Sequence, residues 1–392
     1  MSFVYVAMGF MAFLSATTLA IDVGMFMTAR TQAQTSADSG ALAGAVALVF
    51  NDWNDRTPSG PAVQSALNAS RSNQVISAQV SVTAPDVTFP LDPAGNANRV
   101  KVDVFRTGAR GNPVPTLMGS LFGVQNADIV ATATAEASQA NAVKCPLPFT
   151  IPDKWEEHID DTGKADGPWD VDKTFDMYDN KGNLLANNDV YRPWTDPNPT
   201  GYKPWDPTTG DLGRELVLKA NNTTKITSSF YNPWDLPGSV GASDYRTNIS
   251  GCDPNSTSKM PLGGDMPPEN GNMVGPTAQG MQDLIDQDPN AYWDDSANCV
   301  KGSTYNGNNP SQCTMNSPRI RPIPVYNPID FAQGPQHGKN IVLTNVNYLG
   351  FFIEPLNGGE VRGRLMGLIG AYDNNAGPAP PGTTPKVIRL VQ

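Results

Sequence analysis

The sequence predicts an α+β protein: a long N-terminal helix that begins as a membrane-type span, a small α+β module, and a β-rich, loop-rich domain closed by disulfides. Three observations predict it. Residues 3–21 carry no charge and run without a turn residue into "IDVGMFMTARTQAQTSADSGALAGAVALVF", which is helix-compatible throughout. Val100, Val102 and Val104 alternate with Lys101 and Asp103, the period of a half-buried strand. All four cysteines, Cys145, Cys252, Cys299 and Cys313, fall beyond residue 140.

A chain of 392 residues exceeds what one core usually supports, and the expected boundaries are residues 1–50, 51–140 and 141–392. The formal charge of -11 is uneven: residues 1–140 hold 7 Lys/Arg and 9 Asp/Glu, residues 141–392 hold 20 and 29. An acidic surface with no basic stripe excludes nucleic acid as a partner and leaves cations, proteins or glycans.

From Phe3 to Ile21 a helix spans about 28 Å at 1.5 Å per residue, close to a bilayer core of about 30 Å. The segment is therefore expected to cross a membrane once, with lipid as its partner over residues 3–21. A cleaved signal peptide is the competing reading, since Thr18 and Ala20 are small. Against it, no Lys or Arg precedes the segment and no turn residue follows Ala20. The missing basic flank suggests a start or a processed leader upstream of Met1. Ala12, Ala16, Ala20 and Gly24 recur every four residues, and Ser36, Gly40 and Gly44 continue the spacing. Small residues at i and i+4 allow close helix packing, and Gly inside a helix costs about 1 kcal/mol relative to Ala. The stripe is expected to pack against a neighbouring subunit, which would be self-association, or against the protein's own first module.

After "NDWNDRTPSGP", residues 62–75 read as a short amphipathic helix. Strands are expected at 78–83, 99–105 and 127–137, with a helix over "VPTLMGSLFGV" starting near Pro115. Taken together, the apolar span leading into "IDVGMFMTARTQAQTSADSGALAGA", then "RVKVDVFRT", "VPTLMGSLFGV" and "VATATAEAS", resemble the TadG-like branch of the Flp (tight adherence, Tad) pilus assembly proteins, over roughly residues 5–138. The resemblance implies a bitopic protein of the bacterial cell envelope, N-terminus in the cytoplasm, that contacts other envelope or pilus-assembly proteins. Position 5 is Tyr5 where a mature type IV pilin has glutamate. The Asp-x-Ser-x-Ser metal motif of relatives with a von Willebrand type A domain is absent; "DDSAN" at 294 does not fit it.

No cysteine pair has C-x-x-C spacing, which favours disulfides over buried free thiols. The Gly/Asn/Pro-rich segment between Cys299 and Cys313 reverses easily, so the expected pairs are Cys299 with Cys313 and Cys145 with Cys252, in an oxidising compartment outside the cytoplasm. "KNIVLTNVNYLGFFIEPL", "EVRGRLMGLIG" and "KVIRLVQ" read as three closing strands, the first two joined at Asn357-Gly358-Gly359, and 275–287 as an exposed helix.

Chemistry has few candidates. Only His158 and His337 are present, with no nucleophile elbow, zinc motif or phosphate loop, so the chain is expected not to be an enzyme and to need no cofactor. Eleven acids lie between Asp153 and Asp189; Asp160, Asp161, Asp166, Asp170 and Asp172 are candidate calcium ligands by charge, although their spacing matches no EF-hand, a solvated acidic face is the plainer reading, and "DNKGN" reads as a hairpin turn. Pro-Trp pairs end in Trp169, Trp194, Trp205 and Trp234, three followed by Asp. Exposed, these would offer a glycan a stacking face and acceptors; buried, they would pin loops to the sheet. The functional expectation is a non-enzymatic envelope protein of a Flp/Tad-type pilus or secretion apparatus. The alternatives are a surface adhesin that binds glycans through the Trp loops and a subunit of an extracellular filament.

Overall fold

The computed structural model describes all residues except 1, 51–54, 94, 161, 180, 207–208, 224, 240, 252–258, 307–308, 334–340, 374, 378, 380–381 and 392. The chain divides into two compact units, the first made of residues 1–48, 54–137 and 388–392, the second of 49–53 and 138–387. The N-terminal helix and the small module thus share one unit, and residues 388–392 return to it.

In the first unit, α1 runs unbroken from Ser2 to Phe50, about 74 Å at 1.5 Å per residue. Its hydroxyl residues sit comfortably in a helix because they bond back one turn: Thr28, Thr31 and Thr35 each donate to the carbonyl four residues earlier at 3.0 Å. The span expected at residues 3–21 is the first part of α1; among the described residues no helix is long and apolar enough to cross a membrane. The second helix, α2 (Pro61–Ser72), starts with Pro at its first turn and buries Ala62, Val63, Ala66, Leu67 and Ser70.

The sheet of this unit has β1 (Val87–Thr88), β2 (Arg99–Arg106) and β3 (Ile129–Gln139), antiparallel in that order. Val100, Val102 and Val104 of β2 are fully buried, so the alternation seen in the sequence is the inward face. On β3, buried Glu136 receives Arg99 at 2.7 Å and Arg389 at 3.0 Å. Burial pushes its carboxyl up, and the two guanidiniums outweigh this and hold it below the usual range.

The second unit is built on a closed barrel. Its strands are β4 (Phe149–Pro152), β5 (Glu215–Ala220), β6 (Phe230–Pro233), β7 (Ile320–Tyr326), β8 (Leu343–Ile353) and β9 (Val361–Met366). Around the barrel the order is β8-β7-β4-β6-β5-β9, and β9 pairs back with β8 from Gly350↔Met366 to Ile353↔Gly363. The pairs β7/β4 and β5/β6 are parallel and the others antiparallel. Glycine is needed at the closure, because a Cβ on Gly350 would lie 2.4 Å from the Gly367 carbonyl and one on Gly363 2.5 Å from that of Phe352. Phe149, Ile151, Leu218, Val325, Phe351 and Leu365 belong to one fully buried cluster. The short strand Asp265–Met266 adds to β8, and Leu368–Ile369 pairs in parallel with Pro385–Lys386 of β10 (Pro385–Val391).

Two helices complete this core. α3 (Gly241–Ser250) and α4 (Val274–Ile285) touch where a Cβ on Gly280 would come within 2.8 Å of Ile249. α4 is not the exposed helix expected at 275–287: it buries Thr277, Gly280, Met281, Leu284 and Ile285. The fully buried Arg319 donates to the carbonyls of Asp288, Ala291 and Ile353 at 2.8–3.0 Å. Arg321 donates to the Cys145 carbonyl and to those of Asn248 and Ile249 at the end of α3, where a cation meets the negative end of a helix dipole.

Cys299 and Cys313 form a disulfide with Cα atoms 5.6 Å apart. Cys145 is disulfide-bonded as well; Cys252, the partner expected for it, lies outside the described residues.

Candidate functional site

The second half of α1 is where its small residues act. Ala29, Ala33, Ala37, Ala41 and Ala45 are at most 1 % exposed, a buried stripe at four-residue spacing. Beside it, the Ser36 hydroxyl donates to the Ser70 carbonyl at 2.6 Å. A Cβ on Gly40 would meet Ser70 Oγ at 2.0 Å and the Ala66 carbonyl at 3.0 Å. A Cβ on Gly44 would meet Val100 Cγ1 at 2.8 Å and the Ala62 carbonyl at 3.2 Å. Ser36, Gly40 and Gly44 therefore admit the backbone of α2, within the same unit. A glycine that costs helix propensity is kept because it allows this approach.

Ala12, Ala16, Ala20 and Gly24 are placed differently. All four are exposed, and nothing lies within 4 Å of a Cβ built on Gly24. The large side chains of the same stretch also face outward, Phe3 at 85 %, Tyr5 at 68 %, Phe10 at 62 % and Phe13 at 65 % exposure. One helix thus has a sheathed half and a bare, apolar half.

Asp22 marks the change. Its carboxylate accepts the backbone N–H groups of Leu117 at 2.9 Å, Met118 at 3.1 Å and Gly119 at 2.5 Å. Burial pushes the carboxyl up, and the three N–H donors outweigh it and hold it below the usual range. The clasped segment is the tip of a hairpin whose short strands Val114–Pro115 and Asn126–Ala127 pair antiparallel. "VPTLMGSLFGV" is accordingly not the helix expected from Pro115. Only Gly119–Phe122 makes a 3-10 turn, ended by Gly123 at φ 84°, and Leu117, Phe122 and Val124 point outward at 56–64 % exposure. Sequence reasoning missed the role of Asp22, yet a signal was present: it is the single charged side chain in residues 1–29.

In the acidic segment the described carboxylates have partners of their own. Asp160 accepts from Thr162 and the Lys164 N–H, and Asp166 pairs with Lys173. Asp170 accepts the Val171 N–H, Asp172 accepts from Ser229, and Asp161 lies outside the described residues. Among the described residues no three His, Cys, Asp or Glu are grouped to hold a metal ion. The described members of the candidate calcium set are engaged by local turns, by Lys173 and by Ser229. "DNKGN" is the hairpin turn expected of it, with the Asp179 N–H donating to the Asn183 carbonyl at 2.9 Å.

Two of the four Pro-Trp tryptophans are buried and two half-buried. Trp234 is 1 % exposed, its indole N–H donating to the Leu147 carbonyl at 3.1 Å, and Trp194 is 6 % exposed. Trp205 stands 5.4 Å from Trp194, with the Lys386 ammonium 5.4 Å from its centroid. Trp169 meets Trp155 and Tyr202 edge-on and faces Lys154 and Arg214 at 5.1 and 5.2 Å. Trp194 and Trp234 are thus buried, while Trp169 and Trp205 are half-buried against aromatic rings and cations of the protein itself.

The site is thus a helix that docks into an α+β module by its small residues and extends beyond it as an uncovered apolar rod. Residues 1–47, the segment that makes up this helix, match the family model described as putative Flp pilus-assembly TadE/G-like, so the chain is TadE/G-like over its N-terminal segment. No curated protein and no solved structure matches the chain.

Proposed function

We propose that this chain is a non-enzymatic, cell-envelope component of a Flp/Tad-type pilus assembly or secretion apparatus, held by the first half of α1 and acting through protein contacts of its two units. The observation that carries the reading is the bare apolar half of α1 in a segment that matches the TadE/G-like family model. Side chains such as Phe3, Phe10 and Phe13 gain roughly 25 cal/mol per Å2 of apolar surface when removed from water. A bilayer supplies that cover, and residues 3–21 have the length for it. The disulfides accord with the remainder lying outside the cytoplasm.

A second reading, a filament subunit, is favoured by one observation: Ala12, Ala16, Ala20 and Gly24 share exposed, closely spaced positions on α1, as a helix that packs against copies of itself requires. Separating membranes from sheared extracellular filaments, with mass spectrometry of the N-terminal peptide, tests both. Recovery in membranes with residues 3–21 intact supports the anchored component. Recovery in filaments overturns it in favour of the subunit.

A further inference from the structure

We propose that the hairpin tip Leu117–Val124 is a second membrane contact, lying in the bilayer interface beside the point where α1 leaves the hydrocarbon core. The inference rests on the anchored reading above. Two stretches nearly free of charge, distant in sequence, are joined here. Residues 1–29 hold one charged side chain, Asp22, and residues 111–127 hold none. The Asp22 carboxylate ties them through the N–H groups of Leu117, Met118 and Gly119.

Dimensions place the tip. With residues 3–21 filling the hydrocarbon core, the interfacial zone beyond it is roughly 5 to 8 Å deep on each side, about three to five residues of helix at 1.5 Å each. That zone begins at Asp22 and takes in exposed Val23, at 45 %. The hairpin tip is fastened at this level, and its outward Leu117, Phe122 and Val124 are the side chains that an interface of lipid headgroups and acyl ends accepts. A charge placed there is costly unless satisfied, and the three donors satisfy Asp22. In water the same residues would leave an apolar collar uncovered around an apolar helix. In the interface, helix and tip bury together, and the clasp sets the depth at which the first unit stands.

Environment-sensitive labelling of the full chain in phosphatidylcholine vesicles tests this, because the described cysteines are all disulfide-bonded and an added one is selectively modified. Single variants Phe13→Cys, Phe122→Cys and Ser59→Cys carry the probe, with nitroxide quenchers fixed at the headgroup or deep in the acyl chain. The expected result is loss of most emission at position 122 to the headgroup quencher, at position 13 to the deep quencher, and at position 59 to neither. Quenching at 13 without quenching at 122 overturns the interfacial tip and leaves the anchor standing. No quenching at 13 overturns the anchor and the tip together. Shielding of 122 from an aqueous quencher without lipid quenching assigns the tip to a protein partner and likewise overturns the proposal. Asp22→Ala, which removes the clasp, is expected to lower quenching at 122 while leaving that at 13 in place; unchanged quenching at 122 would show that the clasp does not position the tip.

Discussion

Replacing Gly44 and Gly24 by alanine, one at a time, separates what a small residue does on the sheathed and bare halves of α1. Each substitution gains the same intrinsic term, about 1 kcal/mol of helix propensity. They differ in what the new methyl meets. At Gly24 it meets nothing within 4 Å; at Gly44 it comes 2.8 Å from Val100 Cγ1, 3.2 Å from the Ala62 carbonyl and 3.2 Å from Ala66 Cβ. Val100 is fully buried and β-branched, so it cannot swing aside, and the other two atoms belong to α2. Overpacking of this kind costs about 1 to 3 kcal/mol. Gly24→Ala should therefore stabilise the first unit by up to about 1 kcal/mol, while Gly44→Ala changes it by about 0 to 2 kcal/mol in the destabilising direction. Because propensity cancels, the difference between the variants reads the overpacking alone. Urea unfolding followed by circular dichroism measures it; with a slope of about 1 to 3 kcal/mol per molar, the midpoints separate by roughly 1 M. Equal stabilisation by both variants would refute the close packing of α1 on α2.

Three further outcomes are expected. Glu157, pushed up to about 7 by burial beside Asp189 and Asp166, Glu269, raised to about 7 by burial beside Asp235, and Asp153, raised to about 6 by burial, all bind protons more tightly folded than unfolded. Their contribution is fully present below the unfolded carboxyl range near 4 and is lost as pH rises through about 6 to 7; the second unit should gain stability between about pH 8 and about pH 5, and Glu157→Gln should flatten that slope in thermal melts. Opening the Cys299–Cys313 ring, whose ends are 14 residues apart, by Cys299→Ser with Cys313→Ser should lower unfolding free energy by about 3 kcal/mol, read as a drop in urea midpoint against the parent. Asp22→Ala should accelerate amide hydrogen exchange at Leu117, Met118 and Gly119, whose N–H groups it leaves without their acceptor, and leave Val102 protected; unchanged exchange would show that the clasp does not form in solution.

What the sequence disclosed was local. β2 was legible because Val100, Val102 and Val104 write their burial into a period of two, and α2 because its apolar residues recur on one face behind Pro61. The small residues of α1 announced close packing, although only the fold could say that Gly40 and Gly44 meet α2 while Gly24 meets nothing. The barrel was hidden for a physical reason. Phe149–Pro152 is buried at all four positions, so no alternation identifies it, and its partner β7 lies far along the chain, where pairing leaves no sequence trace. "VPTLMGSLFGV" misled because an apolar run is normally turned inward; here Gly123 in the left-handed region helps bend it into a hairpin tip with Leu117, Phe122 and Val124 outward. The tryptophans could not be placed because burial depends on what folds over them, and the partners of Asp166 and Asp172, Lys173 and Ser229, are supplied by the fold and not by the spacing of the acids.

The order in which the first unit receives its strands has a consequence for synthesis. The first unit's middle segment ends at Ala137, within β3, and the residues that complete the unit are 388–392, including Arg389, which bonds Glu136. The intervening stretch, about 250 residues, forms the second unit. At roughly 5 to 20 residues per second, the ribosome takes roughly 12 to 50 s to cross it. During that interval Glu136 holds only one of its two arginines and β3 lacks β10, its neighbour in the sheet. A chain interrupted anywhere in the insert never closes the unit that begins it, so the finished sheet beside α1 certifies that translation has passed through the entire second unit.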